Sequence, residues 1–255
     1  MGVIIFKDLQ FGDLPKTPAT PYPGYALQQA TKTIYEYAYR FGFPVSYIQE
    51  QNGVTIQNIV PVHKTENQQI STSSKVELEM HTETAFHPYK PDYVMLFCLR
   101  GDPNAVTTYA NLFEILKTLE PNTRKVLKKK IFTTNVDISF RLNGEQDQQI
   151  PISIVGEKDG KLTLTYDSYY VRGINEEANN ALVSLRSAIK QCTIDIVLQS
   201  GDLLVIDNNN TIHGRREFQP RYDGTDRWVQ RVLVRKELPP AQERKSNVII
   251  TKVFN

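Results

Sequence analysis

Apolar and charged residues alternate through Val76-Glu77-Leu78-Glu79-Met80, the period-two pattern of a half-buried strand. Gly201-Asp202 makes a turn into the apolar run Leu203 to Asp207, and Asn208, Asn209 and Asn210 form a polar turn after it. Arg227 to Arg235 is rich in strand formers. Period two places Arg227, Val229, Arg231 and Leu233 on one face and Trp228, Val232 and Val234 on the other. A strand apolar on both sides is expected to be buried on both, which puts its arginines inside. Residues 54–62 and 92–99 read as further strands, and 150–155 with 161–166 as a hairpin around Asp159-Gly160. Helical spacing covers Tyr25 to Arg40, with Ala26, Ala30, Ile34, Ala38 and Tyr39 near one face. Ala110 to Leu119 reads as a helix ended by Glu120-Pro121, and Asn122 is placed to cap the next, through Lys130. Ile174 to Cys192 is a helix with Glu176 and Glu177 in its first turn, where the dipole favours anions. Prolines concentrated in residues 14–23 make that stretch an irregular lead-in. No repeat or linker divides the chain, so residues 1–255 are expected to form a single domain. Many strands with few helices predict a mainly β fold with flanking helices, a jelly roll.

Composition narrows the class. The 255 residues suffice for one β domain with a full core. With 30 basic and 28 acidic residues the net charge is +2, which gives no case for a nucleic-acid partner. The one basic cluster, Arg124 to Lys130, reads as the solvated end of a helix. No apolar run approaches membrane-spanning length, and the first residues lack the layout of a signal peptide. Cys98 and Cys192 lie in apolar or amphipathic stretches and read as reduced core residues. A cytoplasmic protein without a membrane partner is therefore expected.

Candidate chemistry centres on His81-Thr82-Glu83 and the distant His213. On a strand or its extended exit, His81 and Glu83 point the same way, so one segment offers two ligands and His213 a third. Two imidazoles and one carboxylate are the ligand set of a non-haem Fe(II) oxygenase, which leaves positions open for a cosubstrate and O2. The competing reading is two surface or hydrogen-bonded histidines. Arg227 and Arg231 would lie roughly 13 Å apart at about 3.3 Å per residue. Buried arginine needs an anion. Either both form intramolecular salt bridges, or they receive two carboxylates, one from 2-oxoglutarate and one from a substrate. His87, four residues past Glu83, reads as a pocket residue rather than a fourth ligand, and His63 as solvated.

Met80-His81-Thr82-Glu83-Thr84-Ala85-Phe86-His87 followed by Pro91-Asp92-Tyr93-Val94-Met95-Leu96 closely resembles clavaminate synthase and its relatives, which include hydroxylases of free arginine, asparagine and lysine. The likeness resumes at Gly201 to Asn208, His213 and Pro220 to Trp228, and covers roughly residues 55–237. Glutamate in place of the aspartate of the wider superfamily marks this subgroup. The resemblance implies a double-stranded β-helix core and an iron site of His81, Glu83 and His213. It implies that Arg227 pairs with the far carboxylate of 2-oxoglutarate, helped by the hydroxyl of Thr108, which aligns with a one-residue gap. Arg231 would receive the carboxylate of an amino-acid substrate. Asp167, in Tyr166-Asp167, would hold a cationic side chain; the alternative for it is a turn aspartate. Family members carry a longer helical N-terminal region, so this chain is expected to be shortened there, with a homodimer interface as one way to cover that side.

The expected activity is that of an Fe(II)/2-oxoglutarate-dependent dioxygenase that uses O2 to hydroxylate a C–H bond of a free amino acid, with arginine, lysine, ornithine or a derivative as substrate. A retained carboxylate ligand argues against halogenation, while desaturation or cyclisation stays open. Two other classes compete: a cupin-like dioxygenase or isomerase without 2-oxoglutarate, which Arg227 argues against, and a non-catalytic metal-binding barrel, which the intact ligand set argues against.

Overall fold

The computed structural model describes residues 2–21, 27–137, 140 and 149–251. In chain order these form β1 (Val3–Phe6), α1 (Gln28–Phe41), β2 (Phe43–Tyr47), β3 (Gln57–Ile59), β4 (Leu78–His81), β5 (Tyr93–Arg100), β6 (Thr107–Asn111), α2 (Leu112–Thr118), α3 (Pro121–Val126), β7 (Phe132–Thr134) and β8 (Ile150–Ile152). There follow β9 (Val155–Lys158), β10 (Lys161–Leu164), β11 (Arg172–Gly173), α4 (Glu176–Cys192), β12 (Ile194–Ile196), β13 (Leu203–Asp207), β14 (Thr211–Arg215), β15 (Trp228–Arg235), β16 (Arg244–Lys245) and β17 (Val248–Ile249).

Two sheets carry the fold. The major one runs β1-β13-β5-β15-β2-β17-β16 with β3 added beside β15; the minor one runs β12-β6-β14-β4. Pairing is antiparallel except between β17 and β2. Side-chain alternation sets the layers. On β5, Val94, Leu96 and Cys98 face the inner core while Met95, Phe97 and Leu99 face away. On β13, Leu204 and Ile206 face in, and Leu203 and Val205 face out. The outward set is covered by Leu27 and by Ala30, Ile34 and Ala38 of α1. Behind the minor sheet, Ala110 and Ile212 pack on Leu112 and Ile115 of α2 and on Ala178, Ala181 and Leu185 of α4. The result is the jelly roll expected from the sequence, helices outside and an interior bounded by both sheets. β15 is buried on both faces, as its composition required, with Val232 and Val234 toward α1 and Val229 and Leu233 inward.

Several boundaries differ from expectation. Ala110 belongs to β6; α2 starts at Leu112, where the Asn111 side chain accepts from the Phe113 N–H at 2.9 Å. Asn122 caps nothing. Pro121, preset at the helical φ, opens α3 one residue earlier, and α3 ends at Val126 rather than Lys130. The hairpin at Asp159-Gly160 pairs β9 with β10, both turn residues having positive φ, whereas residues 150–152 pair with β7. In the predicted strand 54–62, β3 spans Gln57–Ile59. Helix α1 starts at Gln28; Tyr25 and Ala26 lie outside the described residues.

Candidate metal centre and its cavity

β4 ends on His81, and antiparallel pairing sets His213 of β14 directly opposite it. The two imidazole centroids are 4.5 Å apart. Glu83, two residues on, brings its Oε2 to 3.5 Å from His213 Nε2 and 4.0 Å from His81 Nε2. The three candidate ligand atoms all lie within 4.8 Å of one another, and no other such cluster occurs among the described residues.

This donor set fits a metal cation. His81 Nδ1 is 2.7 Å from the Glu79 carbonyl, which can only accept, so Nδ1 carries the proton and Nε2 offers its lone pair to the cluster. Burial, then the neighbouring His81, lowers the pKa of His213 and favours the neutral ring a metal requires. Glu83 Oε2 is buried without a hydrogen-bond partner. Burial alone would raise the Glu83 pKa, but Arg231 and both imidazoles outweigh it and hold the carboxyl well below the usual carboxylate range.

The backbone around Glu83 is clamped. The fully buried Asn208 accepts from the Glu83 N–H at 2.8 Å and donates to the carbonyls of Glu83 at 3.0 Å and Pro91 at 2.9 Å. The next residue, Thr84, takes a positive φ of 54°. Thr82 N–H donates to the Tyr166 carbonyl at 2.7 Å, which ties the ligand segment to the Tyr166-Asp167 loop.

A cavity of about 350 Å³ opens from the triad. Arg231 of β15 and Arg227, the residue just before that strand, both line it, but their surroundings differ. Arg231 Nη1 donates to Glu83 Oε1 at 2.7 Å, Nη2 pairs with Glu50, and Nε donates to Gln57 at 2.9 Å. Its neighbouring carboxylates overcome the effect of burial and raise its pKa. Arg227, equally buried, reaches the Thr107 hydroxyl at 3.5 Å and has no carboxylate within 4 Å among the described residues. Of the two alternatives, internal salt bridges therefore hold for Arg231 and not for Arg227.

Thr108 requires a correction. Its hydroxyl points at Met80 Sδ, 3.2 Å away; it is Thr107, one residue earlier and on the opposite face of β6, that lines the cavity beside Arg227. Asp167 serves the turn, its Oδ1 accepting from the N–H groups of Tyr169 and Tyr170 at 2.9 Å each, and it also lines the cavity. His87 is buried away from the ligand cluster, edge-on to Tyr47, with Nδ1 accepting from the Tyr89 N–H at 3.0 Å. His63 is exposed beside Tyr222. Both cysteines are free. No helix among the described residues is long and apolar enough to cross a membrane.

Glu50, Asp137, Thr107, Arg215 and Asn208 were not singled out from the sequence. Arg215 carried a signal, since it stands two residues beyond His213 on one strand and so on the same face. Asn208 was read only as part of a turn. Glu50 and Asp137 lie outside the strands, where no periodicity marks them.

The family model for taurine catabolism dioxygenase TauD, TfdA family, matches residues 27–233. An L-lysine 3-hydroxylase of Catenulispora acidiphila is 34% identical over 242 residues, covering 91% of this chain and 67% of the relative. The crystal structure of an asparagine oxygenase in complex with Fe(II), 2S,3S-3-hydroxyasparagine and succinate superposes with a TM-score of 0.87 at 31% identity, over 98% of this chain and 80% of that one. The non-haem iron oxygenase OrfP, solved with Fe, succinate and (3S)-hydroxy-L-Arg, gives a TM-score of 0.87 at 25% identity over 99% and 82% of the two chains; OrfP is also solved with Fe and α-ketoglutaric acid. Together with the His-Glu-His centre, these likenesses show that the chain belongs to the TauD, TfdA family and is an Fe(II)- and 2-oxoglutarate-dependent oxygenase.

Proposed function

We propose that this protein hydroxylates a C–H bond of a free amino acid with a cationic side chain, within a single catalytic domain. His81, Glu83 and His213 hold Fe(II), which with 2-oxoglutarate and O2 supplies the oxidising power and releases succinate and CO2. Arg227, with the Thr107 hydroxyl, takes the far carboxylate of 2-oxoglutarate. Arg231 takes the substrate carboxylate, and Glu50, whose Oε2 is buried without a partner, takes the substrate ammonium.

The observation that carries the side-chain preference is an excess of acid on the Arg231 side of the cavity. Glu83 belongs to the metal site and Glu50 pairs with Arg231, which leaves Asp137 and Asp167 without a cation within 4 Å among the described residues. Burial raises the Asp137 pKa well above its usual value, and Asp167, Glu83 and Glu50 add to the rise. Burial likewise raises that of Asp167. A guanidinium or ammonium group between these carboxyls would favour their ionised forms and fix the far end of the substrate. A ligand held at both ends presents a mid-chain carbon to the metal, and the chain's own role is to fix which hydrogen faces it.

A screen of free amino acids for substrate-dependent succinate formation tests the reading. Arginine, lysine, ornithine or a close derivative should give the highest kcat/KM. Asp167→Asn should lower it about ten- to a hundredfold for that substrate and less for neutral isosteres. Robust turnover of a neutral or acidic amino acid, indifferent to Asp167→Asn, would refute the side-chain assignment.

A further inference from the structure

Arg215 is an arginine of β14 that is 4% exposed and lines the same cavity as Arg227. Among the described residues every hydrogen-bond partner of its guanidinium is neutral: the Ser73 hydroxyl and Arg216 carbonyl at 2.8 Å, and the Val76 and Ser74 carbonyls at 3.4 and 3.5 Å. The ring of Phe218 lies 5.0 Å from its Cζ. No carboxylate comes within 4 Å of it among the described residues, a rare state for a buried arginine. Strand pairing sets Arg215 opposite Thr107, the residue whose hydroxyl meets Arg227. This part of the cavity thus holds two buried guanidinium groups with no carboxylate within 4 Å of either among the described residues.

From this geometry we propose that Arg215 is a second cationic anchor of the cavity end that takes the remote carboxylate of 2-oxoglutarate, acting through its charge beside Arg227. The inference rests on the assignment of that end to 2-oxoglutarate. A carboxylate placed between the two arginines would offset both charges at once. Its hydrogen bonds to residues 73–76 hold the guanidinium in place without quenching its charge, because all of them end on neutral oxygens. A positively charged end of this kind selects a 2-oxo acid carrying a second carboxylate over one with an apolar tail.

The charge can be separated from the stapling of residues 73–76. The dissociation constant of 2-oxoglutarate would be measured on the anaerobic Fe(II)-loaded protein from the visible charge-transfer band of the chelate, with thermal melts in parallel. Arg215→Gln, or Arg215→Met should the Gln variant not fold, should weaken binding at least about tenfold, the loss that one charge still roughly 12 Å from the carboxylate would cause at an effective dielectric of ~20. Arg215→Lys, which keeps the charge and loses the fork, should stay within about threefold. Ser73→Ala, which removes a staple partner and keeps the charge, should lower the melting temperature and leave the affinity unchanged. Equal losses for Lys and Gln, an unchanged affinity in the neutral variants, or a loss in Ser73→Ala as large as in Arg215→Gln would each overturn the proposal. Arg227→Gln in the same assay tests the underlying assignment, since failure of that variant to weaken 2-oxoglutarate would remove the site itself rather than the role of Arg215.

Discussion

Arg227, just before β15, and Arg231 within it line one cavity, yet their electrostatic states are opposite. Arg231 compensates the buried Glu83 and the partly buried Glu50, while Arg227 has no carboxylate within 4 Å among the described residues. Removing one partner of a buried pair costs about 3–5 kcal/mol because it strands the other charge. Arg231→Ala should therefore lower the melting temperature of the metal-free protein far more than Arg227→Ala. Part of that loss should return on adding Mn(II), since a cation at Glu83 replaces the missing one and binds the native state alone. In kinetics Arg227→Ala should raise the KM for 2-oxoglutarate, and Arg231→Ala that for the amino acid, each by more than about a hundredfold. Melts with and without Mn(II) check the first expectation, and equal destabilisation by the two variants would contradict it. The sequence made the arginines legible through period-two spacing, and the metal ligands through a His-x-Glu spacing that places two donors on one side of an extended segment. It did not disclose that Arg231 already holds an acid. Glu50 lies in the connection between β2 and β3, and the pairing of both strands with β15 brings that segment into the cavity.

Elements were most legible where one physical signal acted alone. The long strands β5, β13 and β15 could be read because burial on both faces demands an unbroken apolar composition. Helix ends were less legible because two start signals compete. Asn122 and Pro121 both mark a beginning, and the ring that fixes φ prevails over the side chain that could accept a hydrogen bond. The two asparagines at predicted helix starts therefore make a contrasting pair. Asn175 accepts from the Ala178 N–H at 2.9 Å at the start of α4, whereas the exposed Asn122 lies inside α3. Asn175→Ala should cost about 1 kcal/mol, and Asn122→Ala less than about 0.5 kcal/mol. Because α4 packs behind the minor sheet, neither should alter the KM for 2-oxoglutarate. Urea unfolding with steady-state kinetics checks this, and an equal loss at both positions would show that the assigned cap is not the stabilising contact.

The molecule as a whole depends on a histidine that remains neutral. His87 is 3% exposed and packs with Tyr47 of the major sheet and with Phe140, where its Nδ1 accepts from the Tyr89 N–H. Protonation of Nδ1 would break that hydrogen bond and place a charge in the inner core; burial lowers the pKa to about 4 from an ordinary 6.5. The sign follows from proton uptake. Between pH 6.5 and 4 the unfolded chain protonates His87 and the native state does not, so native stability falls as pH falls through that window. A shift of this size corresponds to about 3 kcal/mol, or roughly 6–12 °C in melting temperature for a protein of this length. Glu83 loses stability over the acid range as well, because its folded pKa is depressed, while Asp137 and Asp167, with raised pKa values, work in the opposite sense. Absolute melting curves therefore mix these terms, and the informative quantity is the difference between wild type and His87→Gln, in which the carboxylate contributions cancel. The variant should be less stable at pH 7, where the packed ring is lost. It should lose its disadvantage progressively toward pH 4, as wild type alone pays the cost of keeping the imidazole neutral. Parallel melting-temperature profiles for the two proteins from pH 7 to 4 would mean that His87 titrates equally in the folded and unfolded chain, and that the core at Tyr47 and Phe140 tolerates the charge.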